Sequence, residues 1–258
     1  MQQITSLGRF ILILFGLGIG GSSIAQSYYV GISAEQPTGS AGIAADGLVA
    51  AYDFESYTED GLLHDFSSDG NHGKVTQTVE TEGLFGKARV FAGMADVVDL
   101  PEDKGLDLSG PLTIATWIKF SQPKLHQHIF SCDDIYVLWT TVEDQYRLAD
   151  TRANGFTTSL GTVKANAWHS VVAILSATRG DALSPDNIKI YLDGVQLEGS
   201  TESTWAPGSL RANGCLIGAS IATENGHPAG PVVGVIDELA VFSRPLTEQE
   251  IQAFSNKP

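Results

Sequence analysis

Apolar and polar positions alternate with a period of two in short runs along most of the chain. In Ile188 to Leu192 the apolar Ile188, Ile190 and Leu192 are interleaved with Lys189 and Tyr191, and after Asp193-Gly194 the alternation resumes in Val195, Gln196 and Leu197. Two such runs joined by Asp-Gly predict a β-hairpin with one buried face, because the tight turn needs positive φ at both central residues. Further β-type runs are Leu48 to Phe54, Ala88 to Phe91, Leu112 to Phe120, Ile135 to Thr140, Trp168 to Leu175 and Val233 to Phe242. Turn pairs such as Asp60-Gly61, Asp69-Gly70, Asn154-Gly155 and Asn213-Gly214 punctuate them. Only the end reads as a helix: Thr247-Glu248-Gln249-Glu250 is a capping box that leads to Ile251 and Phe254. Roughly a dozen short strands without crossover helices predict an all-β fold, an antiparallel two-sheet sandwich with a short C-terminal helix.

Upstream the pattern changes. Arg9 precedes the apolar run Phe10 to Gly21, and Ser23-Ile24-Ala25 places small residues where a signal peptidase needs them. Residues 1–25 are therefore expected to be a signal peptide cleaved after Ala25. The apolar run is too short to span a bilayer, so no membrane insertion is expected. Residues 26–46 are Gly-, Ala- and Ser-rich and read as a linker or N-terminal arm in which Tyr28-Tyr29-Val30 could pair with a sheet edge. The folded domain is expected over residues 47–258.

Charge narrows the partners. The 258 residues carry 30 Asp and Glu against 15 Lys and Arg, a net charge of -15, with no basic cluster, so nucleic acid and anionic membrane surfaces are poor partners and none is expected. Export places the protein in a secreted or periplasmic setting. There the two cysteines, Cys132 and Cys215, favour a disulfide over a pair of buried thiols.

Several segments, in order, resemble the laminin G-like jelly roll of the concanavalin A-like lectin/glucanase superfamily. They include Leu48-Val49-Ala50-Ala51-Tyr52-Asp53-Phe54, the loop Asp65-Phe66-Ser67-Ser68-Asp69-Gly70-Asn71-His72-Gly73, and Gly83-Leu84-Phe85-Gly86-Lys87-Ala88. Leu112 to Lys119, Ala167 to Val172, Ile190 to Gly194 and the ending Val235-Ile236-Asp237-Glu238-Leu239-Ala240-Val241-Phe242 complete the set. The resemblance implies a concanavalin A-like jelly roll and a secreted binding or adhesion module, in a family whose members frequently carry a structural calcium ion. A fold does not by itself fix a ligand.

Candidate chemistry follows from side-chain types. Asp65, Ser67, Asp69 and Gly70 match the first half of an EF-hand loop, but position twelve is Thr76 and no flanking helices are predicted, so an EF-hand is excluded. A structural calcium ion is still expected, between the Asp65 to His72 loop and the strand of Asp237, with Asp53, Asp65, Asp69, Asn71 and Asp237 as ligands. Asp237 and Glu238 are adjacent, so regular alternation sends them to opposite faces, with Asp237 inward and Glu238 towards solvent or a loop cap. Paired acids at glycosidase spacing on one strand face are missing, which argues against a hydrolase site. Ser220 in Gly218-Ala219-Ser220-Ile221-Ala222 lacks the following helix that a nucleophile elbow requires. His126 and His128 share a strand face without a third metal ligand. His169 reads as a packed strand residue.

Sugar binding needs an exposed aromatic face with polar groups beside it. Trp117, Trp168 and Trp139 lie in apolar runs and read as core, whereas Trp205, in a polar stretch, is the expected stacking residue, followed by Tyr136, Tyr146 and Tyr191. The function expected is a non-catalytic carbohydrate- or cell-surface-binding module, with a glycan or cell-surface protein as partner. The alternatives are a polysaccharide-active hydrolase or lyase using the concave sheet, and a structural protein-adhesive domain.

Overall fold

The computed structural model describes residues 29–30, 43–44, 46–101, 105–106, 108–132, 136–149, 155–158, 163–202, 204, 214–224 and 227–256. The expected signal peptide and Trp205 lie outside these residues. In chain order the strands are β1 (Tyr29–Val30), β2 (Ile43–Ala44), β3 (Leu48–Tyr52), β4 (Lys74–Thr76), β5 (Val79–Glu82), β6 (Lys87–Phe91) and β7 (Val97–Leu100). They continue as β8 (Leu112–Phe120), β9 (Gln127–Cys132), β10 (Tyr136–Thr140), β11 (Tyr146–Ala149), β12 (Gly155–Thr158) and β13 (His169–Leu175). The last are β14 (Ile188–Leu192), β15 (Val195–Gln196), β16 (Gly199–Glu202), β17 (Cys215–Ile217), β18 (Ser220–Glu224), β19 (His227–Ala229) and β20 (Gly234–Phe242), before the helix α1 (Glu248–Ser255).

Two antiparallel sheets face each other as a jelly-roll sandwich. One runs β15-β14-β13-β8-β20-β6-β5, with β3 also on β20; the other runs β16-β12-β11-β10-β9-β17-β7-β4. Between them lies the main core, with Tyr52, Ile114, Ile118, Val171, Ile190 and Val241 from the first sheet and Phe130, Leu138, Tyr146, Leu148 and Ile217 from the second. The first sheet is buried on both faces. Its outer face carries Trp117, Val172, Ile174 and Phe242, which α1 covers with Ile251 and Phe254. This double burial is why β8, β13 and β20 are almost continuously apolar instead of alternating with polar residues.

The helix is placed by its cap and its apolar pair. Thr247 accepts from the Glu250 backbone N–H and the Glu250 side chain returns to the Thr247 backbone, so the capping box forms as the sequence implies. Arg244 donates to both oxygens of Glu250, which fixes the approach to the cap. Trp117 Nε1 donates to the Phe254 carbonyl at 3.1 Å and closes the far end of the helix onto the sheet.

The β14–β15 hairpin also forms. Asp193 and Gly194 have φ of 50° and 77°, the left-handed values that its tight turn demands. Asp193 then accepts from the Ser170 backbone and pairs with His169 Nδ1 at 2.7 Å, which gives His169 its packed role. Among the described residues of the N-terminal arm, β1 pairs with β2. Among the described residues no helix is long and apolar enough to cross a membrane.

Cys132 and Cys215 are register partners on β9 and β17, with Cα atoms 4.1 Å apart, and form a disulfide across a sequence separation of 83. Closing so long a loop restricts the unfolded chain. Replacing both cysteines by alanine is expected to lower the unfolding free energy by roughly 2–4 kcal/mol in denaturant titrations, with the far-UV circular dichroism spectrum retained.

Candidate functional site

Among the described residues, no helix covers the outward face of the second sheet. Tyr136 and Leu138 of β10 point into the core, so Val137 and Trp139 point outward. Register places Arg147 of β11 and His128 of β9 directly beside Trp139, and continues from Arg147 through β12 to Ser200 on β16. The His128 ring meets the indole edge-on with centroids 5.2 Å apart, and the Arg147 guanidinium lies 5.7 Å from the indole centroid. All three side chains are half-buried, and Ser200 is exposed. The result is an aromatic platform with hydrogen-bonding groups on either side.

A β-bulge keeps this row in line. Leu138 opposes Phe130 while Trp139 opposes His128, so Ile129 is the extra residue and turns into the core. His128 is held from behind by Gly230, whose carbonyl accepts from the His128 N–H at 2.8 Å. Gly230 has φ of 56°, and a Cβ there would stand 2.4 Å from His128 Nδ1, so only glycine permits this approach. His128 Nδ1 lies 3.3 Å from the Ala229 carbonyl, which can only accept, so Nδ1 carries the proton and Nε2 is the acceptor. Burial pulls the His128 pKa down, which keeps the ring neutral near pH 7.

A second constellation lies on the first sheet. Glu238 is the extra residue of a bulge in β20, between Asp237 opposite Trp117 and Leu239 opposite Thr116, and has φ of 49°. The bulge breaks the expected alternation, so Glu238 does not reach solvent: it is only 2% exposed, and Asp237 is fully buried. Asp237 Oδ2 accepts from the Leu84 and Phe85 backbone N–H groups at 2.8 and 3.0 Å, while its Oδ1 and Glu238 Oε1 have no hydrogen-bond partner. Asp53 and Glu55 stand close enough for like-charge repulsion. Burial first, and then Asp237, Asp53 and Glu55, push the Glu238 pKa well above the usual carboxylate range, and burial raises that of Asp237 to about 7.

The expected metal ligands divide between two places. Asp65 accepts four hydrogen bonds, from Ala51 N, Ser67 N, Ser67 Oγ and Asn71 N. Asn71 Nδ2 donates to the Val49 carbonyl, which also lies 2.8 Å from Ser67 Oγ. These bonds fasten the loop along the edge of β3 that faces away from β20. Asp69 is exposed. The expected single site joining this loop to Asp237 is therefore not assembled: Asp65, Asp69 and Asn71 build a turn, and of the expected ligands only Asp53 bears on the β20 bulge, through Glu238. Among the described residues no three His, Cys, Asp or Glu side chains converge as a metal ligand set.

The aromatic expectations also need correction. Tyr136 and Tyr146 are fully buried, Tyr136 stacking on Phe130 and donating to the Leu106 carbonyl, so neither offers a face to a sugar. Tyr191 is buried under α1 and its hydroxyl donates to Gln196. Trp117 is core as expected, whereas Trp168 is half-buried beneath Lys119 and Trp139 lies on the outer face. Ser220 opens strand β18 and no helix follows it, which agrees with the rejection of a nucleophile elbow. His126 is exposed ahead of β9, apart from the half-buried His128.

A laminin G family model, described as concanavalin A-like lectin/glucanases superfamily, matches residues 92–252. The chain belongs to this superfamily. Curated protein sequences give no match. Among solved structures, domain 4 of the extracellular arabinanase AbnA from Geobacillus stearothermophilus, in complex with arabinotriose, has a TM-score of 0.60 at 19% identity, over 81% of this chain and 98% of that one. The binding domain of Paraclostridial Mosquitocidal Protein 1 has a TM-score of 0.59 at 13% identity, over 82% and 52%. Trypanosoma rangeli sialidase, in complex with sialic acid, has a TM-score of 0.61 at 14% identity, over 83% and 34%. The chain thus spans only about half and a third of the last two. At these identities the likeness shows the superfamily fold.

The acidic bulge generates a pH dependence. Because the folded-state pKa values of Asp237 and Glu238 lie above their ordinary values, folding favours the protonated forms: this stabilisation is complete below about pH 4 and is lost as pH rises through about 7 for Asp237. In chelator, the melting temperature is expected to fall between pH 5 and pH 8 by more than it does for Glu238→Gln. Equal slopes for the two proteins in differential scanning calorimetry would remove the bulge as the cause.

Proposed function

We propose that the chain is an exported, non-catalytic module that binds a glycan on the outward face of the second sheet, with a pyranose lying against Trp139. The observation that carries this reading is the half-buried indole set in one cross-strand row with His128, Arg147 and Ser200. Stacking on the indole supplies apolar contact, while His128 Nε2 accepts from a sugar hydroxyl and Arg147 and Ser200 donate. The arabinotriose complex of AbnA domain 4 supports a sugar-binding use of the same fold. The disulfide and the Ser23-Ile24-Ala25 site support export.

We expect the mature protein, beginning at Gln26 by intact mass, to be retained on a polysaccharide array, and Trp139→Ala to lose about tenfold or more in affinity, as base-to-aromatic stacking energies indicate for a comparable contact. Release of reducing ends or unsaturated products would instead establish an enzyme. Retention on no glycan would leave protein adhesion as the function.

The calcium ion is proposed for the β20 bulge in place of the loop of Asp65. Two buried carboxylate oxygens without partners, Asp237 Oδ1 and Glu238 Oε1, fit a hard cation that takes oxygen ligands, and Asp53 and Glu55 add negative charge beside them. Such an ion would neutralise the bulge and join β3 to β20. Calcium is expected to raise the melting temperature at pH 7.5. Terbium in its place should give luminescence excited through Trp117, the register partner of Asp237. Glu238→Gln should weaken both effects, and their absence in the native protein would refute the site.

A further inference from the structure

We infer that the sugar bound beside Trp139 carries a carboxylate, with Arg147 as its anchor. This rests on the glycan reading above and names the class of sugar that the face selects.

Among the described residues, Arg147 is a half-buried cation without an anionic partner. Its Nε is buried and makes no hydrogen bond, and its cross-strand neighbours are Trp139 and Thr157, neither of which can be negative. This is unexpected in a chain with 30 acidic and 15 basic residues, where a carboxylate is seldom far from any arginine. Arg244 and Lys87 are both paired, with Glu250 and Glu80. Arg89, the other arginine with an unbonded buried Nε, stands directly opposite Glu80 in the register. Among the described residues, Arg147 on the outward face of the second sheet is the guanidinium set in one row with an indole and an imidazole.

The indole holds the guanidinium by a cation–π contact, at 5.7 Å from the ring centroid. The Nε donor is without a partner, and the N–H donors of a guanidinium match a planar carboxylate with two parallel hydrogen bonds. A uronic acid projects its carboxylate from the rim of the pyranose ring. A ring lying against Trp139 therefore brings the carboxylate onto the neighbouring strand, about one strand spacing away (~4.8 Å), where Arg147 stands. His128, neutral for the reason given above, contributes an acceptor for a hydroxyl and no competing charge. The net charge of -15 opposes long-range attraction of any polyanion, so the selection acts at contact distance, inside the ~8 Å over which charges remain unscreened at physiological salt.

The test compares oligosaccharides that differ only in charge. Galacto-, gluco- and mannuronate oligomers and their carboxyl-reduced counterparts are titrated into the mature protein at 0.15 M salt by calorimetry, beside a set of neutral and sulfated glycans. At least one oligouronate should bind roughly tenfold or more tighter than its reduced form, the scale of a hydrogen bond to a charged group. Arg147→Gln should remove that preference, weakening the oligouronate by more than its reduced form, and Trp139→Ala should weaken both. Binding of neutral or sulfated glycans in preference to every carboxylated one, or a preference that survives in Arg147→Gln, overturns the inference and leaves the glycan reading standing. Binding of no glycan overturns both.

Discussion

Strand β20 is paired on both edges, along its length with β8 and in two stretches with β6 and β3, and the rest of the sandwich is arranged around that constraint. On one side it follows β8 from Gly234 to Phe242; on the other it pairs first with β6 and then with β3. Between its two partners on that edge the strand shifts its inward-facing positions by one residue. The bulge at Glu238 makes that change, placing Ile236 and then Leu239 and Val241 towards the core, so that inward positions shift from even to odd numbers. The apolar period on each side of the bulge is then satisfied, and the junction between β3 and β6 is left for Asp53, Glu55 and the Gly83–Lys87 turn. A left-handed glutamate and two buried acids are the local consequence of making one strand serve three neighbours.

Much of this architecture is legible in the sequence where local signals are strong. Asp193-Gly194 specifies its turn through backbone conformation alone, and Thr247 with Glu250 specifies the start of the helix through two reciprocal hydrogen bonds. The long apolar runs of β8, β13 and β20 identify strands, and the cysteine pair meets across adjacent strands. What could not be read is anything that depends on a bulge. Regular alternation sends Asp237 and Glu238 to opposite sides, whereas the inserted residue lets both be buried. The turn of residues 65–71 has the composition of a metal loop, yet its carboxylate saturates with backbone donors, because Asp, Ser and Asn serve turns and cations with the same oxygen atoms.

The aromatic platform was hidden for a different reason. In β10 the residues Tyr136, Val137, Leu138 and Trp139 are all apolar, so a period of two carries no contrast and does not tell which face meets the core. Only the register with Phe130, His128 and Arg147 decides it. A signal was nonetheless present: β11 alternates Tyr146 and Leu148 with Arg147, which marks one face of that strand as polar. Carrying this alternation across to β10 would have placed Trp139 outward, opposite Arg147.

The helix α1 covers the outer face of one sheet only. As a result, substitutions in β8, β13 or β20 disturb packing on two sides, while those at the outward positions of β10 and β11 disturb neither the main core nor the helix contact. Mutation can therefore sample new side chains at Trp139, Arg147 and Ser200 without passing through unfolded intermediates. A lineage built on this scaffold can change that outer face faster than it changes its backbone, and a shared fold at 13–19% identity is what such uncoupled drift would leave behind.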